Sequence, residues 1–177
     1  MNVCIIIPAY NEEKRIGKTL SAYTNFFEKK FKTEKVGYEI LVVINGTIDN
    51  TEQVIKIFQK KRNRVKYLSF KRGGKGFAIT EGFKSALKSN FDFIGFIDAD
   101  MATEPKEFFK LIACSKRHDG AIASRYDKGS IVEPKQTFLR RVVSRVFNFF
   151  IRSLFHIPYR DTQCGAKIFK KNTIKKI

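Results

Sequence analysis

The chain has 177 residues, 43% of them hydrophobic, and a net charge of +18 set by 35 lysines and arginines against 17 acidic residues. This length suits one domain with a sizeable core, and no window of about 20 residues is free of charge, so no membrane-spanning helix is predicted. The basic balance implies a polyanionic partner, for which nucleic acid, anionic lipid and a phosphorylated substrate all qualify.

The first predicted strand is the short buried run Val3–Ile7, which Pro8 ends. A polar loop then leads into a helix whose apolar residues recur at helical spacing. A strand that enters a helix through such a loop builds a ligand rim at the carboxyl edge of a sheet. Tyr10 can stack on a base, and Asn11 and Glu12 can hydrogen-bond one. Alternatively, Asn11 is simply the N-cap of the helix.

The second predicted strand covers Tyr38–Ile44, and Asn45 opens the loop that follows it. Either Asp49 or Thr51 is predicted to cap the next helix, because both residue types accept hydrogen bonds from a first helical turn. The sequence therefore places a second polar loop at the same edge of the sheet as the first.

A third, weaker strand over Val65–Phe70 leads into the basic, glycine-rich loop at residues 71–76 and a helix over Phe77–Leu87. Glycines let backbone N–H groups approach an anion closely, and Lys75 adds positive charge. The spacing is not that of a Walker loop. As a lone motif, this loop is more often a solvated turn.

An apolar run from Phe93 to Ile97 predicts a strand that is buried on both faces and is followed by Asp98 and Asp100. In extended chain these two carboxylates point the same way and can hold one cation, for which oxygen ligands favour Mg²⁺ or Mn²⁺. The alternative is that Asp98 caps a turn and Asp100 is a solvated acid. The buried strand before them favours the metal site.

A helix over Glu104–Ser115 and a fifth strand over Asp119–Ser124 continue the alternation. Successive strand–helix units predict an α/β fold with a Rossmann-like, mostly parallel sheet and helices on both faces. No repeat or linker interrupts the chain, so residues 1–177 are predicted to form a single domain.

The segment Phe138–Phe155 has helical length and carries four arginines but no acidic residue. Arg140 and Ser144 lie four residues apart on one helix face and are candidates to hold a phosphate. A basic, aromatic helix suits an anionic membrane interface, and the alternative is a core helix whose arginines extend to solvent. Residues 161–169 are then predicted as a polar loop entering a strand, and residues 170–177 as the start of another helix.

Together these segments resemble the family 2 glycosyltransferases with the GT-A fold, and more narrowly the synthases that charge dolichyl or polyprenyl phosphate with glucose or mannose. The matching motifs follow the family's order and cover essentially the whole chain. Two of them, at 98–103 and 161–165, favour the glucosyl branch. The motifs are PAYNEE at 8–13, GTIDNT at 46–51, GKG at 74–76, DAD at 98–100, SRY at 124–126, Arg140 with Ser144, and DTQCG at 161–165.

The resemblance implies a role for each matching residue. Asp98 and Asp100 would be the catalytic pair that holds Mg²⁺ or Mn²⁺ on the diphosphate of the donor, UDP-glucose being favoured over GDP-mannose. Acceptor phosphate would be received by Arg125, Arg140 and Ser144. The nucleotide pocket would be lined by Pro8, Ala9, Tyr10 and Glu12, with Asn11, Asn45, Lys75 and Ala99 as further candidates.

The implied reaction is a single displacement that inverts the anomeric centre. A divalent cation would neutralise the charge that builds on the leaving diphosphate. The attacking phosphate oxygen is already anionic near neutral pH, since the second pKa of a phosphate monoester is about 6, so it needs positioning more than a strong base. The excess of lysine and arginine would hold the domain on anionic lipid, peripherally on the cytoplasmic face of a membrane.

Three departures from the family pattern qualify the resemblance. Ile44 and Asn45 stand where an aspartate pair is usual, and Ala102 stands where the mannosyl branch can offer a further metal ligand. Family catalytic domains also continue beyond the position of Ile177. The domain is therefore expected to be truncated at its C-terminal end, either as a naturally short form, as a fragment, or as a split product whose partner chain supplies the rest.

Two other functions remain open at this stage. The same fold can transfer sugar to a polysaccharide or protein hydroxyl, which would need a general base. Alternatively, the chain is a non-catalytic, basic derivative that binds a membrane or nucleic acid, although no nucleic-acid motif is recognisable and that partner is not expected.

Overall fold

A computed structural model describes residues 1–126, 138–157, 159 and 161–176. Strands and helices alternate along most of this chain. The strands are β1 (Asn2–Ala9), β2 (Gly37–Asn45), β3 (Val65–Phe70), β4 (Phe93–Phe96), β5 (Gly120–Ile122) and β6 (Lys167–Lys170). The helices are α1 (Ile16–Glu34), α2 (Thr51–Lys61), α3 (Lys75–Leu87), α4 (Pro105–Ser115), α5 (Phe138–Phe155) and α6 (Lys171–Ile174).

The described strands form one sheet in the order β3-β2-β1-β4-β6-β5. Neighbours among β1 to β4 are parallel, because each connection between consecutive strands passes through a helix. β6 is antiparallel to both of its neighbours, so β5 runs in the same direction as β4. The predicted α/β fold with a mostly parallel sheet is therefore confirmed.

Helices cover both faces of the sheet, as predicted. Consecutive residues of β1 point to opposite faces, which is why this strand is apolar at every position from Val3 to Ile7. One face packs on α1, α2 and α4 through residues such as Leu20, Ile55 and Phe108. The opposite face packs on α3.

The first strand is longer than predicted, since Pro8 lies inside β1. Ile6 accepts a hydrogen bond from the amide of Ile97 on the β4 side, and residues two apart on a strand point the same way. The missing N–H of Pro8 therefore faces the β4 side, where β4 has already ended at Phe96. Proline costs no ladder hydrogen bond at this position.

Several predicted helix boundaries were wrong. α1 begins at Ile16 with Arg15 at the N-cap, so Asn11 does not cap it. Asn50 occupies the N-cap of α2, although the Asp49 carboxylate does accept from the amide of Thr51. α3 begins at Lys75, two residues earlier than expected, which makes the predicted anion-binding lysine its first residue.

No helix in the described ranges combines the length and the hydropathy needed to span a bilayer. The predicted helix over Phe138–Phe155 is present as α5. The fifth strand is shorter than predicted and covers Gly120–Ile122.

Candidate functional site

A cleft of about 580 Å³ opens at the carboxyl ends of β1, β2 and β4. The chain leaves β1 towards β2 on one side and places β4 on the other, so strand order reverses here, which is where open α/β sheets bind ligands. Most of the predicted donor-site residues meet in this cleft, but Ala9 and Asn11 do not line it. The lining residues are Pro8, Tyr10, Glu12, Arg15, Asn45, Gly73, Gly74, Lys75, Asp98, Ala99 and Asp100.

Two loops that follow β1 and β2 are joined by hydrogen bonds and form one wall. The amide of Asn11 donates to Thr47 Oγ1 at 3.1 Å, and Asn11 Oδ1 accepts from the amide of Ile48 at 3.0 Å. The amide of Glu12 donates to Thr51 Oγ1 at 2.7 Å. The side chain of Asn11 therefore fixes the two loops to each other.

Glu12 faces the cleft but is already engaged. Its carboxylate accepts two hydrogen bonds at 2.7 Å from the guanidinium of Arg15, which sequence reasoning missed because one arginine before a helix carries no signal. Tyr10, by contrast, is 54% exposed, so its ring is available for stacking on a flat ligand.

Asn45 connects three segments beneath the cleft. With its amide oriented to suit both neighbours, it donates to the carbonyl of Ala9 at 2.7 Å and accepts from the amide of Gly74 at 3.1 Å. Asn45 is 3% exposed and Ala9 is fully buried, so little surface of either residue is open to a ligand. Gly46 has a φ of +71°, and a Cβ there would lie 3.2 Å from the backbone of Gly73, so the loop before α3 can approach closely only at a glycine.

The two predicted catalytic carboxylates follow the end of β4, and Asp100 lies in a turn. β4 ends at Phe96, two residues before Asp98, and Met101 takes a φ of +64°. Asp100 Oδ1 accepts from the amide of Ala102 at 3.0 Å and thereby closes the turn. Both carboxylates line the same cleft, as predicted from their spacing.

Helix α1 fixes this turn from behind. The buried hydroxyl of Thr19 donates to the carbonyl of Ala99 at 2.6 Å, and the hydroxyl of Tyr23 donates to the carbonyl of Thr103 at 2.8 Å. The sequence analysis assigned neither residue to the site. Thr19 and Tyr23 act as positioning residues. Asp98 directly precedes the anchored carbonyl of Ala99, and Asp100 lies in sequence between the anchored carbonyls of Ala99 and Thr103.

The surroundings of Asp98 fit a cation. The ammonium group of Lys75 makes an ion pair with Asp98 Oδ1. On the other side, a Cβ at Gly165 would lie 2.0 Å from Asp98 Oδ2, so only glycine leaves room for the carboxylate. Among the residues described, no group of three or more His, Cys, Asp or Glu is arranged so that it could hold a metal ion. Two carboxylates suit Mg²⁺ or Mn²⁺, which bind proteins through one or two acids plus substrate phosphates.

Arg125 and Asp161 form a pair away from the cleft, beside α5. Asp161 has no exposed side-chain surface and accepts from the Arg125 guanidinium at 2.8 and 2.9 Å and from its amide at 3.0 Å. Burial raises the pKa of the Asp161 carboxyl, but the hydrogen bonds from Arg125 outweigh it and hold that pKa below its ordinary value. Those hydrogen bonds also raise the pKa of Arg125. The guanidinium that was predicted to receive a phosphate thus already has a carboxylate partner.

The protein-facing side of α5 is polar. Ser144 and Asn148 are 9% and 4% exposed. Ser144 Oγ lies 2.8 Å from the hydroxyl of Tyr126, and Asn148 Oδ1 accepts from the amide and the hydroxyl of Thr162 at 3.1 and 2.7 Å. Ser144 and Arg125 both contact the 161–165 segment, through Gln163 and Asp161 respectively. The side chain of Arg140 falls outside the described residues.

The outward side of α5 is apolar, the reverse of a core helix. Its large side chains are between 48% and 72% exposed, and Arg145 and Arg152 are exposed among them. The alternative prediction of a core helix with extended arginines was wrong for the described part of α5. The exposed apolar residues are Val143, Val146, Phe147, Phe149, Phe150, Leu154 and Phe155.

Residues 4–177 match the sequence profile of Glycosyl transferase family 2. The chain is 34% identical to a dolichyl-phosphate beta-glucosyltransferase of Drosophila melanogaster, over 100% of its own length and 57% of that protein. It is 30% identical to the dolichyl-phosphate beta-glucosyltransferase of Dictyostelium discoideum, over 98% of its length and 55% of that protein. The chain thus spans about half the length of the curated relatives it matches.

Solved structures share the fold. Glucosyl-3-phosphoglycerate synthase of Mycobacterium tuberculosis, in complex with Mn²⁺, uridine diphosphate and glucosyl-3-phosphoglycerate, superposes with a TM-score of 0.66 at 18% identity, over 97% of this chain and 57% of that one. Residues 1–349 of TarS from S. aureus, in complex with UDP-GlcNAc, give a TM-score of 0.60 at 21% identity, over 99% of this chain and 47% of that one. At these identities the likeness concerns the fold alone.

Proposed function

The chain belongs to glycosyltransferase family 2, and from that premise we propose that it binds a nucleotide-diphosphate sugar and transfers its hexose to dolichyl or polyprenyl phosphate. The observation that carries the proposal is the cleft in which Asp98, Asp100 and Lys75 meet beside the exposed ring of Tyr10. A nucleotide offers a flat base and an anionic diphosphate, which these groups complement. The curated relatives named for dolichyl phosphate support the acceptor, and their glucosyl names support UDP-glucose over GDP-mannose as donor.

Each group in the cleft has a defined part in this reaction. Asp98 and Asp100 would hold Mg²⁺ or Mn²⁺, and the bound ion would supply Lewis-acid neutralisation of the leaving diphosphate. Tyr10 would stack on the base, while Lys75 adds positive charge beside the diphosphate. The loops joined through Asn11 and Asn45 keep these groups in fixed relation before the donor arrives, which limits the entropy lost on binding.

Acceptor phosphate would enter from the α5 side. Ser144 offers a hydroxyl, and Arg125 keeps 25% of its side chain exposed despite its pair with Asp161. A phosphate oxygen that attacks the sugar in line with the departing diphosphate inverts the anomeric centre. Because this nucleophile is already anionic, the reaction depends on orienting the two substrates rather than on a strong base.

A ligand screen with the intact chain tests this function. Melting temperature is measured with UDP, GDP, UDP-glucose and GDP-mannose, each with and without Mn²⁺, because a ligand that binds only the native state stabilises it by mass action. We expect uridine nucleotides with Mn²⁺ to give the largest shift. The absence of a Mn²⁺-dependent shift with every nucleotide would contradict the proposal. Transfer of labelled glucose to dolichyl phosphate then tests the acceptor.

The proposal includes peripheral attachment to the anionic, cytoplasmic face of a membrane. The outward side of α5 combines exposed phenylalanines with Arg145 and Arg152, which suits insertion at the boundary between headgroups and acyl chains. Such attachment would bring a lipid-linked phosphate to the α5 side of the chain.

Replacing Phe149 and Phe150 with glutamine is expected to weaken binding to phosphatidylserine-containing vesicles by at least about 100-fold, since each buried phenylalanine contributes about 1.5–3 kcal/mol. Their exposures of 66% and 64% mean that little folded-state packing is lost. Vesicle co-sedimentation provides the measurement. As a matched control, glutamine at Ile48 and Ile57, which are 88% and 51% exposed on other surfaces, should leave binding unchanged. Equal binding by all three proteins would rule out attachment through α5.

A further inference from the structure

Lys75 occupies the position at Asp98 that the proposed function assigns to a divalent cation. Its ammonium group contacts Asp98 Oδ1, and Gly165 lies against the same carboxylate, where a Cβ would be 2.0 Å from Oδ2. Lys75 thus occupies one of the two oxygens through which Asp98 would bind a cation. Two cations at one carboxylate oxygen repel each other strongly at such short distances. Lys75 must therefore leave Oδ1 before a metal ion can bind there.

The structure allows Lys75 to leave by a side-chain movement alone. Its backbone is fixed at the start of α3, because the amide of the preceding Gly74 is held by the buried Asn45. The side chain, in contrast, is 53% exposed and carries the ammonium on a flexible four-carbon stem. A short rotation keeps the ammonium inside the cleft that Lys75 lines, next to any bound diphosphate.

We propose that Lys75 is an exchangeable occupant of the metal position, and that it makes the metal ion and the nucleotide diphosphate bind with positive coupling. This inference rests on the proposed function of the cleft. A metal ion that binds alone breaks the ion pair between Lys75 and Asp98, and the displaced ammonium group gains no new anionic partner. When diphosphate is also present, the displaced ammonium gains an anionic partner.

The coupling has to act in both directions. If diphosphate tightens metal binding by some factor, metal tightens diphosphate binding by the same factor, because the two affinities belong to one thermodynamic cycle. Lys75 then lowers the affinity of the empty cleft for a metal ion alone and favours joint binding of the metal ion and the donor. This is a positioning and specificity role that a lysine serving only as a fixed phosphate contact would not have.

Replacing Lys75 with methionine separates these roles, because methionine keeps an unbranched side chain without charge. Free Mn²⁺ is followed by electron paramagnetic resonance in titrations of the intact chain, first with Mn²⁺ alone and then with UDP or GDP at saturation. We expect the Lys75→Met variant to bind Mn²⁺ alone about three- to tenfold more tightly than the wild type, since it no longer breaks an ion pair. The factor by which nucleotide tightens Mn²⁺ binding should fall at least about threefold.

Lys84→Met is the matched control. Lys84 lies on the same helix, is 64% exposed and pairs with Glu81 outside the cleft, so its loss changes the net charge equally. Both Mn²⁺ affinities should stay at the wild-type values. The inference is overturned if Lys75→Met binds Mn²⁺ alone no more tightly than Lys84→Met while the wild type still shows Mn²⁺-dependent nucleotide binding. A wild type that binds nucleotide without any effect of Mn²⁺ would instead overturn the proposed metal site, and this inference with it.

Discussion

Replacing Asp100 with asparagine is expected to abolish the Mn²⁺-dependent part of nucleotide binding and to lower transfer by about 100- to 1,000-fold, since a lost metal ligand removes several kcal/mol of charge stabilisation. The fold should survive. Asp100 is exposed, and asparagine keeps the Oδ1 acceptor that closes the turn to the amide of Ala102 at 3.0 Å. The change therefore removes charge and leaves the turn in place.

Two measurements check this expectation. Titration of Mn²⁺ in the presence of UDP-glucose gives the metal dependence, and far-ultraviolet circular dichroism with the melting temperature reports the fold. Asp119→Asn is the matched control, because exposed Asp119 precedes β5 and so lies at the opposite, amino edge of the sheet. Undiminished Mn²⁺-dependent binding by Asp100→Asn would remove this residue from the metal site.

Replacing Asp161 with asparagine is expected to lower the free energy of unfolding by about 2–4 kcal/mol, because removing one partner of a buried ion pair leaves the other charge uncompensated. Asp161 has no exposed side-chain surface, and Arg125 supplies all three of the short hydrogen bonds described above. Asparagine would also turn an N–H donor towards the guanidinium. Urea unfolding at pH 7 measures the loss, and Asp119→Asn should stay within about 0.5 kcal/mol of the wild type.

The same pair predicts a dependence on pH. Because the pKa of Asp161 is lower in the folded state than its ordinary value of about 4, its contribution is fully present above about pH 4. It is lost as the pH falls through the folded-state pKa. The difference in unfolding free energy between wild type and Asp161→Asn should therefore be constant from pH 7 to pH 5 and shrink below pH 4. A difference that persists undiminished at pH 2 would contradict this assignment.

Local patterns in the sequence were enough to predict most of the cleft. An apolar run followed by Asp98 and Asp100 indicates a buried strand that ends in acids, and the glycines before Lys75 indicate a loop that opens a helix. Because parallel strands end at one edge of a sheet, these segments had to meet once the α/β fold was recognised. The fold class and the family therefore followed from residues that are close together in the chain.

The sequence did not indicate which polar side chains form hydrogen bonds with distant segments. Asn11 and Asn45 were predicted as candidates for the nucleotide pocket, and in the structure their amide groups bind backbone N–H and C=O groups of neighbouring loops. A buried backbone polar group needs a hydrogen-bond partner, and nothing in the local sequence tells which side chain supplies it. Arg125 is the parallel case, since its carboxylate partner lies 36 residues away along the chain.

The sequence by itself determined that this chain is an α/β protein of glycosyltransferase family 2 with two acids at the end of a central strand, because periodicity and motif order are local properties. Only the tertiary structure decided what surrounds those acids. The antiparallel strand β6 enters between β4 and β5, and the segment before it brings Gly165 against Asp98. It also decided that α5 turns Ser144 and Asn148 inward and its phenylalanines outward. Both outcomes depend on contacts between distant segments, whose partners are fixed by packing and by hydrogen-bond satisfaction rather than by spacing.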